Sequence, residues 1–188
     1  DIEQRAAAIR ALGLVRDRRA LTPLYSLIED SSSDAKTVAT SLIALSRLGD
    51  PDPLDRFFEP EGGTDDSDVA RHLDVLSELF TESDGVIFSK SRLQTRLQQL
   101  VEGNIHPSPE SENQRRNRIA VIRAVGAGKS ITHQNTVVAL IDSPDPETRT
   151  EAFVALALLN SPATRELFET RLLEEPLATL RAVIQRLG

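Results

Sequence analysis

A nine-residue pattern recurs along this chain, and no other feature restricts its fold as tightly. Arg5-Ala6-Ala7-Ala8-Ile9-Arg10-Ala11-Leu12-Gly13 returns as Arg118-Ile119-Ala120-Val121-Ile122-Arg123-Ala124-Val125-Gly126, and again as Arg149-Thr150-Glu151-Ala152-Phe153-Val154-Ala155-Leu156-Ala157. Fainter copies fall on Leu42-Ala44-Leu45, Leu73-Val75-Leu76 and Ile184-Leu187-Gly188. Successive copies are 33, 31, 49, 31 and 31 residues apart. A period near thirty is the signature of a stacked array, in which each unit buries its apolar stripe only against its neighbours.

Each copy has helical spacing. Arg5, Ala8, Ile9, Leu12 and Val15 recur at three and four, which places them on one face of an α-helix. A second amphipathic segment lies between copies, as in Ala20-Leu21-Pro23-Leu24-Leu27-Ile28 and Thr136-Val137-Val138-Leu140-Ile141. The unit is therefore a helix pair, and no alternating β-branched run competes with it. Ser33-Asp34, Ser67-Asp68 and Pro144-Asp145-Pro146 precede second helices as caps or first-turn residues, and Ser161-Pro162 starts another helix in the same way. Gly13, Gly49, Gly126 and Gly188 are placed where a left-handed residue closes a helix. The fold class expected is all-α, an α-α superhelix of five to six helix pairs forming one domain over residues 1–188.

The core must be aliphatic, because aromatics make up 4% of the 188 residues and Trp, Met and Cys are absent. Without cysteine there is no disulfide, thiolate metal site or cysteine nucleophile. A net charge of −7 disfavours general affinity for nucleic acid or anionic membrane. No apolar run is long enough to cross a bilayer, and no signal-peptide core stands at the N-terminus. The expected location is the cytoplasm. The chain opens on Asp1, which reads as a fragment of a longer protein. Its three lysines, Lys36, Lys90 and Lys129, and its acidic clusters are what a high-salt cytoplasm favours; a GC-rich genome trades Lys for Arg in the same way.

Asp145-Pro146-Glu147-Thr148-Arg149-Thr150-Glu151-Ala152-Phe153-Val154-Ala155-Leu156 resembles the second helix of a HEAT repeat, in the short variety first associated with phycobilisome lyases. Asp1 and Arg5 keep the same aspartate-to-arginine spacing as Asp145 and Arg149. Arg118 keeps the arginine alone, and Val38 and Val69 replace it. The resemblance covers nearly the whole chain, and it implies second helices lining a concave face. Arg5, Arg118 and Arg149 are expected to bond between neighbouring repeats. The resemblance implies little about function, because such repeats serve many unrelated proteins.

The 49-residue step holds an insertion. Val86, Leu93, Leu97, Leu100 and Val101 continue a longer first helix. The stretch 103–113 is then a loop by its Gly, Pro, Ser and Asn content. A second loop, 59–66, is acidic. Both are solvated connections or, since solenoid insertions cluster where binding happens, a partner contact on one rim.

No catalytic or cofactor site emerges. Ala127-Gly128-Lys129-Ser130 ends like a phosphate-binding loop, but Arg123 stands where its first glycine belongs, and a helix precedes it in place of a strand. His72, His106 and His133 are too far apart for a local metal cluster, and Leu73, Pro107 and Gln134 follow them where HEAT-repeat hydroxylases carry glutamate. HEAT-like DNA glycosylases present a basic, aromatic face that this chain lacks. Candidate partner-binding residues are Arg10, Asp74, Arg123 and Gln185 in one slot of successive second helices, with Arg71 and Glu151 in another. Their alternating signs suit a polar protein or peptide, and also ion pairing within the chain. The leading reading is a non-enzymatic interaction scaffold without cofactor, whose protein partner engages the concave face or the insertion loop. The alternatives are a lyase or chaperone handling a tetrapyrrole or its acceptor, and a regulatory domain of a larger signalling or motility protein.

Overall fold

The computed structural model describes residues 1–50, 52–59, 68–82, 88–102 and 111–187. They form eleven α-helices, and among the described residues there is no strand. The six copies of the repeated pattern are α1 (Ile2–Val15), α3 (Ala35–Arg47), α5 (Val69–Glu82), α7 (Glu112–Ala127), α9 (Pro146–Leu159) and α11 (Leu177–Leu187). The intervening first helices are α2 (Leu21–Glu29), α4 (Pro53–Phe58), α6 (Lys90–Val101), α8 (Gln134–Val138) and α10 (Pro162–Glu174). The acidic loop, from residue 60 on, and the insertion over 103–110 lie outside the described residues, as does Val86.

The chain folds as two compact units, Asp1–Leu93 and Gln94–Gly188, with the boundary inside α6. In the first unit α3 is the central helix, packed against α1, α2, α4 and α5. In the second, α9 holds that place among α7, α8, α10 and α11. A helix enclosed on several sides cannot be merely amphipathic. Every residue of α3 from Thr37 to Leu45 is buried, and the hydroxyls of Thr40 and Ser41 donate to the carbonyls of Lys36 and Thr37 at 2.7 and 2.8 Å. Those back-bonds supply the partners that buried hydroxyls require.

The second helices α3 and α9 start as the punctuation predicts, while Ser67 lies outside the described residues. The carboxylates of Asp34 and Asp145 accept from the amides of Thr37 and Thr148 at 2.8 and 3.1 Å, and Asp1 accepts from Glu3 at 3.0 Å. Each bond satisfies an amide left unpaired by the first turn. Ser111 and Gln114 form a reciprocal capping box on α7.

The helix ends follow the expectation at Gly49 and differ from it at Gly13 and Gly126, while Gly188 lies outside the described residues. Gly13 and Gly126 lie inside α1 and α7. Among the described residues the left-handed ones are Arg16, Gly49, Lys129 and Asn160, at φ between 46° and 85°. All four share one repeat position, three residues beyond the slot of Gly13. Gly13 and Gly126 serve close helix approach instead. A Cβ on Gly13 would stand 2.9 Å from the Ala44 Cα, and one on Gly126 2.8 Å from the Ala155 Cα. The apolar phase of α1 also differs. Its buried residues are Ala6, Ile9 and Gly13, while Leu12 and Val15 are exposed. A five-residue spacing pattern fits two helical faces about 100° apart, and only the neighbour decides which is covered.

The arginines of the repeat pattern do link neighbours. Arg5 stands 3.6 Å from Asp34, and Arg118, buried, donates to the Thr148 hydroxyl at 3.1 Å. Arg149 reaches the Ser143 carbonyl at 2.7 Å and Glu175 at 3.4 Å. Leu93, Leu97 and Val101 form the buried stripe of α6 as the sequence indicates.

Candidate protein-interaction face

Charged side chains join successive second helices in both units. In the first, the Arg10 guanidinium donates to Glu82 at 2.6 Å. Lys36 donates to Glu3 at 2.6 Å and stands 3.6 Å from the same Glu82 carboxylate. α1, α3 and α5 are thereby tied through one acid. Glu78, one turn before Glu82, is half-buried; burial pushes its carboxyl up, and Lys36 nearby opposes that shift.

In the second unit a row of alternating sign crosses α7, α9 and α11. Arg123 and Arg186 both donate to the same oxygen of Glu151, at 2.9 and 2.8 Å. The Glu151 side chain is only 4% exposed, so the two guanidiniums are what make its charge tolerable there. Arg115 bridges Glu147 at 2.7 Å and Asp145 at 3.2 Å. Burial pushes Asp145 up, but hydrogen bonds from Thr148 and Arg115 outweigh it and hold the carboxyl down at about 2. Beside this row, between α9 and α11, lies a cleft of about 330 Å³ lined by Glu147, Thr150, Glu151, Ala178 and Arg186.

The six residues singled out from sequence are thus placed differently. Arg123 and Glu151 are brought together. Arg10 pairs with Glu82, which sequence reasoning missed. Arg71 turns onto the end of α2, donating to the carbonyls of Ile28 and Asp30 at 2.6 and 3.0 Å and lying 5.5 Å over the Phe57 ring. Asp74, half-buried, lies one turn along α5 from Arg71, and Gln185 is exposed on α11. Lys36, Glu82, Glu147 and Arg186 were not singled out. One signal could have found two of them: Glu3, Lys36 and Glu147 occupy one repeat slot with changing sign.

The other motifs resolve into structure. The amides of Gly128, Lys129 and Ser130 donate to the carbonyls of Ala124, Gly126 and Val125, so they close α7 and do not face a phosphate. His72 is buried edge-on between Phe57 and Phe58, at ring distances of 4.7 and 5.3 Å. The Ser130 hydroxyl shares a 2.9 Å bond with His133 Nδ1 across one turn. Among the described residues no group of three or more His, Cys, Asp or Glu could hold a metal ion, and no helix is long and apolar enough to cross a membrane.

A family model described as HEAT repeats matches residues 1–77 and 110–188. Comparison with curated proteins and with solved structures finds no match.

Proposed function

This chain belongs to the HEAT-repeat family, and on that footing we propose that it is a non-enzymatic scaffold or adaptor that binds another protein. The observation that carries this reading is the Arg123–Glu151–Arg186 row beside the α9–α11 cleft. Alternating charges at fixed spacing select a partner by complementarity and set its register. Arg10, Arg71 and Asp74 are the proposed partner-facing residues of the first unit and Arg123 that of the second, with the 103–113 insertion as the alternative contact; Glu151, only 4% exposed, holds Arg123 and Arg186 in place. The net charge of −7 favours a protein ligand over nucleic acid or an anionic membrane.

The test is capture of the partner from the native cytoplasm, at native salt because a polar interface is screened by ions, followed by titration of variants. Arg123→Gln keeps a donor for Glu151 while removing the charge. It is expected to weaken binding at least fivefold, about 1 kcal/mol, with unchanged helical content. Lys90→Glu, on a first helix, is the matched control. If Arg123→Gln binds like wild type while deletion of residues 104–112 abolishes binding, the insertion is the site and the charged row is not.

A further inference from the structure

In the first unit a groove of about 450 Å³ runs between the first helices α2 and α4. Its apolar lining is Ile28 and Phe57, 7% and 6% exposed, with Pro53 buried beside them. Tyr25, half-buried, also lines it; its hydroxyl donates to the Asp50 carboxylate and accepts from Arg56 at 2.8 Å. Burial, with Asp50 beside it, pushes that hydroxyl up to about 12, so it stays protonated and keeps both bonds at neutral pH.

The Arg56 guanidinium lies 5.4 Å over the Tyr25 ring. It is exposed, and among the described residues no carboxylate pairs with it. One of its donors is used by Tyr25, and the rest of the fork is open. Stacking and the hydroxyl bond fix the side chain, so little rotamer freedom is left to lose when a ligand binds. A guanidinium held in this way suits a carboxylate, which it bonds through parallel N–H groups. Glu29 lines the same groove one turn along α2 from Tyr25 and does not pair with Arg56. A ligand's negative charge is thereby directed to Arg56 and away from Glu29.

The lining residues of α2 run from Thr22 to Glu29, a helical rise of about 10 Å. Three residues of an extended peptide cover about that length; a small aromatic acid covers only part of it.

We propose that this groove binds an extended segment of a partner protein, with a large apolar side chain on Ile28, Tyr25 and Phe57 and an acidic residue on Arg56. Adjacent side chains of an extended segment point to opposite faces, so the acid stands two positions from the apolar residue. The apolar side chain supplies area removed from water, and the acid supplies selection. The site is on first helices and goes beyond the charged row of the second unit.

Tyr25 is the one tyrosine of the chain, and there is no tryptophan, so intrinsic emission reports on this groove alone. The 188-residue chain is titrated with the blocked pentapeptides Asp-Ala-Phe-Ala-Gln and Gln-Ala-Phe-Ala-Asp, which cover both chain directions. One of them is expected to change the emission saturably, with a Kd below about 1 mM, and to shift the backbone amide resonances of α2 and α4. Asn in place of Asp is expected to weaken binding by about fivefold or more, and Ala in place of Phe to abolish it. Arg56→Gln alters an exposed residue, so the fold, checked by circular dichroism, is retained, and the Asp and Asn peptides are expected to bind it equally. No saturable change in emission or amide shifts up to about 5 mM peptide, well above the expected Kd, overturns the proposal. So does equal binding of the Asp and Asn peptides by wild type, undiminished binding of the Ala peptide, or a preference for Asp that survives Arg56→Gln. Phenylacetate bound as tightly as the better pentapeptide also overturns it, because the groove would then be a site for a small aromatic acid. None of these measurements involves the Arg123 row, so failure here is distinct from failure of the scaffold reading.

Discussion

Gly126 of α7 approaches the Ala155 backbone so closely that a Cβ on the glycine would stand 2.8 Å from the alanine Cα. Gly13 and Ala44 repeat the contact between α1 and α3 at 2.9 Å. The glycine sits within a helix, where it costs about 1 kcal/mol relative to alanine. Its retention there is explained by the approach of two backbones that no side chain could share.

Gly126→Ala is therefore expected to destabilise the protein despite its better helix propensity. Overpacking of about 1–3 kcal/mol outweighs the propensity gain, because the atom in the way is backbone and cannot swing aside. Urea unfolding measures the result. A midpoint equal to or above that of wild type would show that the helices can separate at no cost.

Lys129→Gly should act in the other direction. Lys129 closes α7 at φ 49°, a conformation that costs a residue with a Cβ about 1 kcal/mol. Glycine removes that cost, and the expected gain in thermal stability is of that order. Gly49→Ala, at φ 85° with open space around its Cα, should lose a similar amount through the backbone alone.

Ala152→Asp and Glu147→Ala separate the buried face of α9 from its exposed one. Ala152 is fully buried, and an unpaired carboxylate there costs several kcal/mol by rough estimate. Glu147 is exposed and pairs with Arg115, a contact worth about 1 kcal/mol or less. Melting temperatures of the two variants should differ widely, and equal values would contradict the packing of α9 on α7.

His72 makes stability depend on pH. Burial lowers its pKa to about 4, against about 6.5 in the unfolded chain. Between these values the unfolded state binds the extra proton, so stability is complete above about pH 6.5 and falls as pH drops toward 4. The loss is on the order of 2 kcal/mol. His72→Leu should remove that slope, seen as parallel urea midpoints at pH 7 and pH 5. Asp145 adds a separate loss further down, because its folded pKa of about 2 lies below the unfolded value and its stabilisation fades as pH falls from about 4.

Local signals were legible in the chain and tertiary ones were not. The helix pairs and the aspartate caps of Asp34 and Asp145 follow from residues three to four apart, within reach of a single turn, and the repeat period from the recurrence of one nine-residue pattern. That Arg5, Arg118 and Arg149 link neighbours followed from their shared place in the repeat, but their partners did not, since Asp34, Thr148 and Glu175 stand at three different repeat positions. Which face of α1 packs on α3 did not follow, since its spacing fits two faces and the buried residues are Ala6, Ile9 and Gly13. Nor did the partners of the charged residues. Arg71 caps α2 from 43 residues away, Arg10 finds Glu82 across 72, and Arg123 and Arg186 converge on Glu151 from opposite sides. Periodicity records the phase of one helix about its own axis. The distance between two charges on different helices depends on how those helices cross, and that is set by close contacts such as Gly126 on Ala155, which exist only once the repeats have stacked.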